Sequence, residues 1–303
     1  MTDMKVHIAG VELQNPVIAA SGTFGFGREY GQLYDLSEIG AISVKGLTKA
    51  PRAGNPPPRI TETPGGILNS VGLQNPGVDA FIRDEIPYLR QYRCKIIANM
   101  AGNTFEDYCE MAEKLSAADV DFLEMNISCP NVKAGGAAFG THPDTVFAIT
   151  DAVRKYAKKP LIVKLSPNVA DITETAKAAE AAGADALSLI NTLTGMAIDI
   201  RTRRPILANV IGGMSGPCVK PVALRMVYQV YRAVQVPIIG MGGITSGEDA
   251  VEFLLAGSTA ISVGTANFTD PYACIKIRDG IRQYMQDQTI TKIGDLTGGL
   301  LLE

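Results

Sequence analysis

Eight short apolar runs recur along the chain, and each is followed by a polar turn. Most are almost continuously apolar, which is typical of parallel strands that are buried on both faces. Strands of this kind pack on one face against helices and on the other into a barrel interior. The runs are VIAASG (17–22), AISVKG (41–46), KIIANM (95–100), FLEMNIS (122–128), LIVKLS (161–166), ALSLIN (186–191), PIIGMGG (237–243) and AISVGT (260–265).

Amphipathic stretches with helical spacing separate several of these runs. Eight strands that alternate with helices predict a (β/α)8 TIM barrel of the α/β class. The helical patterns are Phe105, Cys109, Ala112 and Leu115, and residues 172–182, 222–234 and 250–255.

Two long segments depart from a minimal barrel. Residues 47–77, rich in Pro and Gly, separate the second run from a helix expected near 78–92, and residues 192–216 follow the sixth run. Both come after the carboxyl end of a strand, where barrel enzymes build their active sites. We therefore expect a single domain, residues 1–303, with insertions at the carboxyl face of the barrel.

Composition excludes several classes of partner. The 303 residues are 46% hydrophobic and 19% charged, with 28 Lys+Arg against 31 Asp+Glu and a net charge of −3. There is no basic excess to hold a phosphate backbone, so nucleic acid is not expected as a partner. The start of the chain lacks the pattern of a signal peptide, and no apolar run is long enough to cross a membrane. The sequence predicts a cytoplasmic protein.

Cysteine and histidine usage narrows the chemistry. Five cysteines are widely spaced, with no CxxC pair, which argues against a disulfide framework, a zinc ribbon or an iron–sulfur cluster. Only two histidines are present, and neither belongs to an HxH or HExxH pattern. No metal site is predicted on this chain.

Two lysines and two glycine loops point to an anionic cofactor. Lys45 and Lys164 stand near the ends of apolar runs, where a lysine either reaches solvent or stabilises charge in a site. The loops after the last two strands resemble the phosphate-binding region of many barrels, although any one glycine could serve a turn. No complete G-x-G-x-x-G is present, which favours a mononucleotide. The loop glycines are Gly240, Gly242, Gly243, Gly247 and Gly264, the last followed by Thr265.

The segment Asn126-Ile127-Ser128-Cys129-Pro130-Asn131 ends the fourth run and combines the most reactive groups. Pro130 takes the chain off the sheet, so Cys129 is expected on a loop over the barrel mouth, as a nucleophile or a proton acceptor. Asparagine amides at the same face provide donors and acceptors without charge, which suits a planar ring with N–H and carbonyl groups. They are Asn69, Asn99, Asn126, Asn131 and Asn191.

Four motifs, in order along the chain, resemble the dihydroorotate dehydrogenase family, and in particular the catalytic subunit of its NAD-linked class 1B branch. The motifs are ASGTFGFG (20–27), VKGLT (44–48), NSVGLQNPG (69–77) and NISCPNVKAGG (126–136). The resemblance implies an FMN-binding barrel that oxidises dihydroorotate to orotate, a step of pyrimidine biosynthesis.

The resemblance also implies roles for individual residues. Cys129 matches the catalytic base, Lys45 a residue that touches flavin and substrate, and Lys164 a lysine that stabilises the reduced flavin. The implied substrate contacts are Lys45, Asn69, Ser70, Val71, Gly72, Leu73, Asn126, Asn131, Asn191 and Thr192. The implied FMN contacts are Ser21, Lys45, Gly46, Asn99, Asn126, Lys164, Ile190, Gly216, Gly242, Gly243, Gly264 and Thr265, the last four around the phosphate.

In the NAD-linked branch a second subunit carries FAD and a [2Fe–2S] cluster, in a heterotetramer of two catalytic and two electron-transfer chains. The resemblance implies the same partner here. Three alternatives stay open at this point: the fumarate-using homodimeric branch, a dihydropyrimidine dehydrogenase domain, and a catalytically silent flavin-binding subunit. A fourth, from outside the flavin enzymes, is a phosphate-binding aldolase or isomerase in which Lys164 forms a Schiff base.

Overall fold

A computed structural model describes residues 2–128 and 139–302. Eight parallel strands form a closed barrel, and each lies within one of the eight predicted runs. The TIM barrel expected from the sequence is confirmed. The barrel strands are, in chain order, Val17–Ala19, Ala41–Ser43, Lys95–Met100, Phe122–Asn126, Leu161–Lys164, Ala186–Leu189, Ile238–Met241 and Ala260–Val263.

Neighbouring strands in the barrel are also neighbours in the sequence, and the eighth strand closes on the first through the pair Ile261 and Val17. Apart from Lys95, every residue of these eight strands is buried. Burial on both faces explains why the runs are continuously apolar rather than alternating.

Helices flank the barrel, and the one over Phe105–Ser116 shows how the sequence specifies them. Thr104 and Asp107 form a reciprocal capping box at its start, and its apolar stripe buries Tyr108 and Leu115. The longer helices are Phe105–Ser116, Pro143–Arg154, Ile172–Ala181, Lys220–Tyr231, Gly247–Leu255 and Ala273–Asp287. Shorter helices are Ser21–Phe24, Val78–Ala80, Ile86–Leu89 and Ala266–Thr269. A π-helical turn lies at Phe81–Glu85, and 3-10 turns lie at Tyr30–Gln32, Leu36–Glu38, Pro217–Val219 and Ile293–Leu296.

A hairpin of Val6–Ile8 and Val11–Leu13 precedes the barrel and was not predicted. It adds the fully buried Ile8 and Leu13 to the core. Each strand has only three residues, which is too short for a clear alternating pattern.

The two long segments meet in one antiparallel sheet of four strands. The first segment supplies Ile60–Thr63 and Gly66–Asn69, and the second supplies Leu193–Met196 and Ile211–Ser215. The two inner strands, Gly66–Asn69 and Ile211–Ser215, pair with each other and so join the segments. We call this the mouth sheet. A two-stranded extension, Ile198–Asp199 with Arg204–Pro205, continues from it.

Over the described ranges, no helix is both long enough and apolar enough to cross a bilayer.

Candidate active site

A large cavity lies at the carboxyl ends of the barrel strands, where the sequence predicted the site. Its empty space amounts to about 1220 Å³, part of it open to solvent. Every barrel strand contributes at its carboxyl end. In strand order these contributions include Ser21, Gly46, Asn99, Asn126, Lys164, Ile190, Gly242 and Gly264.

The mouth sheet and its connections wall the cavity on one side. Nearly all the described residues that the resemblance assigned to substrate or cofactor therefore line a single cavity. From the two long segments and the strand ends beside them these are Lys45, Asn69, Val71, Gly72, Leu73, Asn191, Thr192 and Gly216, and the loops after the last two strands add Gly243 and Thr265.

One described residue among those predicted, Ser70, does not line the cavity. Ser70 is fully buried away from it, with its backbone N–H donating to the Arg59 carbonyl and its carbonyl accepting from Asn55. Its neighbours Asn69 and Val71 do line the cavity, and a contact from Ser70 to substrate stays a prediction. Cys129 and Asn131 lie outside the described residues, and their roles stay predictions.

An amide network ties the end of the fourth strand to the end of the sixth. Asn191 Nδ2 donates to Ser128 Oγ at 2.7 Å and to Asn126 Oδ1 at 3.2 Å, and Ser128 Oγ also donates to Asn126 Oδ1. With Oδ1 accepting these bonds, Asn126 Nδ2 is the atom left to donate into the cavity. Within the described chain that atom has no hydrogen-bond partner.

Two further polar residues of the cavity belong to the mouth sheet or directly precede it: Asn69 ends one of its strands, and Thr192 comes just before another. Asn69 Nδ2 donates to the Gly213 carbonyl at 3.4 Å, and the Thr192 carbonyl accepts from Asn168 Nδ2 at 3.1 Å. Asn69 is therefore fixed by the pairing of the two long segments.

Lys164 is a buried cation in the cavity wall, with 7% of its surface exposed. Among the described residues it forms no ion pair or hydrogen bond. Because Lys164 lines the cavity, its ammonium group can stabilise an anionic or electron-rich group bound there. Lys45, at the end of the second strand, is only half buried, and its backbone N–H donates to the Gly25 carbonyl at 2.9 Å.

The glycine loops form a backbone cradle. Gly242 and Gly243 have φ of +127° and +80°, and a Cβ on Gly243 would lie 2.8 Å from the Lys220 Cβ. Gly264 differs, because a Cβ there would meet only the Ala20 Cβ at 3.8 Å. Thr265 Oγ1 donates to Ser215 Oγ at 2.8 Å and connects this loop to the mouth sheet. Because glycine has no side chain, main-chain N–H groups in these loops can come close enough to a phosphate to donate hydrogen bonds to it.

Sequence reasoning missed several lining residues and one buried charge. Glu124 is 2% exposed and accepts hydrogen bonds from Ser43, Asn99 and Ser188. A carboxylate inside the apolar run FLEMN was a visible signal, but its partners come from three other strands. The missed lining residues are Ala20, Gly22, Thr23, Ile60, Ile67, Ser215, Met241, Ile244, Thr245, Ser262, Ala266 and Phe268.

The residues present fit a flavin mononucleotide. Asn99 Oδ1 is a buried acceptor without a partner in the described chain, Lys164 offers a positive charge, and the glycine loops offer main-chain donors. An aromatic ring that carries N–H and carbonyl groups, attached to a phosphate, satisfies all three. In residues 2–128 and 139–302 no group of three His, Cys, Asp or Glu side chains could hold a metal ion.

A closed (β/α)8 barrel with a polar cavity at the carboxyl ends of its strands defines a barrel enzyme. The family model described as dihydroorotate dehydrogenase matches residues 3–285. The chain belongs to the dihydroorotate dehydrogenase family.

Similar proteins agree with this membership. A protein of Alkaliphilus metalliredigens, named dihydroorotate dehydrogenase B (NAD(+)), catalytic subunit, is 65% identical over 298 residues, covering 98% of this chain and 99% of that protein. A protein of the same name from Thermoanaerobacter pseudethanolicus is 56% identical over 301 residues, covering 99% and 100%. The crystal structure of DHODH from Eimeria tenella with ferulenol has a TM-score of 0.81 at 23% identity, covering 98% of this chain and 88% of that one. That last likeness supports the fold.

Proposed function

We propose that this chain oxidises dihydroorotate to orotate, as the catalytic subunit of an NAD+-linked dihydroorotate dehydrogenase. The product is the pyrimidine ring from which UMP is made. The observation that carries the proposal is the meeting, in one cavity of a chain of this family, of a backbone cradle, the buried Lys164 cation and the unpaired acceptor of Asn99. The relatives named above support the NAD+-linked branch.

FMN is the cofactor that this cavity would hold. The loops at Gly242, Gly243 and Gly264 would bind its phosphate, and Lys164 and Asn99, on the fifth and third strands, would contact its ring. Bound FMN supplies the hydride acceptor for carbon 6 of dihydroorotate. Lys164 favours this transfer because its positive charge lowers the free energy of added electron density nearby.

The chain's own groups bind the substrate and take its proton. The free Nδ2 of Asn126 suits a carboxylate or carbonyl oxygen of dihydroorotate, and the network with Ser128 and Asn191 holds that amide in place. We propose Cys129 as the base for the carbon-5 proton. Free thiols titrate at about pH 8.5, so turnover should rise with pH. Cys129→Ala should abolish turnover, and wild-type turnover in that variant would refute the assignment.

The electrons leave through a second protein. The relatives' name, catalytic subunit, implies a separate electron-transfer subunit. We propose that the partner carries FAD and a [2Fe–2S] cluster and that two copies of each chain form a heterotetramer. Co-expression, followed by iron and flavin analysis and native mass measurement of the purified complex, tests both points.

Anaerobic mixing of the purified chain with dihydroorotate tests the central proposal. We expect the yellow flavin colour to bleach, and NAD+ to restore it efficiently only when the partner is present. A chain that stays colourless would favour the phosphate-binding aldolase or isomerase. Bleaching followed by reoxidation with fumarate alone would favour the homodimeric branch, and efficient reduction of NAD+ by the isolated chain would refute the need for a partner.

Two further expectations remain proposals. We propose that residues 1–303 fold as one FMN-binding domain, which limited proteolysis with and without FMN would test. We also propose a cytoplasmic location, which fractionation of producing cells would test.

A further inference from the structure

Glu124 is a buried carboxylate in the middle of the barrel with no role in the proposed chemistry so far. Ser43 Oγ donates to Oε2 at 2.8 Å, Ser188 Oγ donates to Oε1 at 2.8 Å, and Asn99 Nδ2 also donates to Oε2. Three other strands thus supply the donors that make burial of this carboxylate tolerable.

Glu124 itself does not reach a ligand. It stands two residues before Asn126 on the same strand, and the cavity is lined by Asn126 and Asn99 but not by Glu124. Any influence on the reaction must therefore pass through a residue that does line the cavity. Asn99 is the one that both contacts Glu124 and lines the cavity.

The contact with Glu124 determines which way the Asn99 amide faces. A carboxylate accepts hydrogen bonds and, when ionised, donates none, so the NH2 group of Asn99 must face it. The other amide atom, Oδ1, is then buried without a partner among the described residues, in a residue that lines the cavity. A Cβ built on Gly46 would lie 3.0 Å from that oxygen, which places Oδ1 beside the end of the second strand.

We infer that Glu124 is a positioning residue, which holds the Asn99 amide so that its oxygen accepts a hydrogen bond from the flavin ring. The oxidised isoalloxazine has a single N–H group, at N3, and an unpaired amide oxygen is complementary to it. This inference rests on the proposed function, since it takes FMN as the ligand. A flipped amide would direct two NH2 hydrogens at the ring and its oxygen at the carboxylate, and both contacts would be unfavourable.

A double-mutant cycle tests whether Glu124 acts through Asn99. Glu124→Gln keeps the shape of the side chain, but the new amide can donate or accept a hydrogen bond, so the Asn99 amide is no longer held in one orientation. We expect the Kd of this variant for FMN, measured by flavin fluorescence on the reconstituted protein, to rise about tenfold, which is the effect of one lost hydrogen bond. We also expect the flavin midpoint potential to shift. In an Asn99→Ala background the same change should alter the Kd by less than about twofold, because neighbouring sites that act as one unit are not additive.

A swap of the two groups provides a second test. Asn99→Asp alone places two carboxylates side by side and should weaken FMN binding at least as much as Asn99→Ala. Adding Glu124→Gln restores one amide and one carboxylate, with the amide now donating from position 124. FMN affinity in this double variant should return to within about threefold of wild type. The double variant still tests the inference if the protein with Glu124→Gln alone does not fold.

Ser188→Ala is the matched control, because it removes the bond to Oε1 and leaves the bond to Asn99. It should keep the wild-type midpoint potential. Equal loss of affinity from Glu124→Gln in both backgrounds, or a swap variant that folds without recovering affinity, would overturn the inference. Wild-type protein that binds no FMN at all would instead refute the proposed function.

Discussion

Asn69 and Gly213 are partners in the mouth sheet although 144 positions separate them in the sequence. The Asn69 side chain donates to the Gly213 carbonyl, so the pairing of the two long segments also fixes an amide that lines the cavity. The integrity of this sheet therefore determines the geometry of the cavity wall.

Gly213→Ala tests that dependence. A Cβ on Gly213 would lie 2.0 Å from Thr192 Oγ1 and 2.6 Å from Thr192 Cβ, so Thr192 and the sheet must shift. Overpacking of this kind costs about 1–3 kcal/mol of stability, and we expect the KM for dihydroorotate to rise about tenfold. Steady-state kinetics and thermal unfolding measure both effects. Gly294→Ala is the control, since it is exposed with no atom within 4 Å; an unchanged KM in Gly213→Ala would contradict the prediction.

Gly264→Ala should separate cofactor binding from stability. The added methyl group meets only the Ala20 Cβ, at 3.8 Å, so the free energy of unfolding should change by less than about 0.5 kcal/mol. The methyl group nevertheless narrows the cradle, and FMN affinity should fall. Gly243→Ala is the contrast, because its positive φ and its contact with Lys220 predict a loss of stability as well. Fluorescence titration with FMN and urea unfolding distinguish the two variants, and equal FMN affinity of Gly264→Ala and wild type would count against a phosphate at this loop.

Lys164→Met should raise the stability of the FMN-free protein and lower its affinity for FMN. Only 7% of the Lys164 surface is exposed, so replacing this side chain with an apolar one should raise the stability of the FMN-free form by up to about 1 kcal/mol. The same change should lower FMN affinity and the flavin midpoint potential, because the reduced ring loses its stabilising charge. Differential scanning of the two forms gives the comparison. A lower melting temperature of the FMN-free variant would show that Lys164 is satisfied without the cofactor.

Asp249 gives a pH dependence with a definite sign. Burial alone would raise its pKa, but hydrogen bonds from Lys220 and Thr245 outweigh burial and lower the pKa below its usual range. A lowered pKa means that this carboxylate's stabilisation is complete above the unfolded value of about 3.9 and is lost as the pH falls through the folded value. We expect Asp249→Asn to reduce stability by about 1–2 kcal/mol near neutral pH and to make the acid limb of the stability curve shallower. Urea unfolding over a pH series measures this, and parallel acid limbs would contradict it.

Thiol labelling should discriminate among the cysteines. Burial raises the pKa of Cys94 and Cys274 to about 12, whereas Cys218 is exposed. Because the thiolate is the reactive form, iodoacetamide should modify Cys218 early and the two buried thiols only on unfolding. If Cys129 is the base, iodoacetamide should still abolish turnover in a Cys218→Ser variant. Bound dihydroorotate should then protect the enzyme from this inactivation. Inactivation that disappears with Cys218→Ser would assign the effect to Cys218.

The barrel could be predicted from sequence because its strands are buried on both faces, so each one appears as an uninterrupted apolar run. One lining residue at the carboxyl end of each strand could be predicted as well, because these residues stand at or directly after the ends of those runs. Membership of a motif does not indicate which way a side chain points: Ser70 does not line the cavity, whereas the residues on either side of it do.

The mouth sheet and the surroundings of Glu124 could not be predicted. The pairing of residues 66–69 with 211–215 depends on two strands of four or five residues that the barrel brings together. Likewise, Ser43 and Ser188 are unremarkable serines in the sequence, and only the closure of the barrel directs both toward one carboxylate. Contacts between distant strands leave no local pattern.

The mouth sheet also has a consequence for the order in which the protein acquires its structure. Its two inner strands are separated by four barrel strands, so we expect them to pair only after much of the barrel has assembled. Contacts of such large sequence separation form late, because the closure entropy of the intervening chain opposes them. We therefore expect a nascent or partly refolded chain to gain its helices and barrel strands before this wall of the cavity is complete.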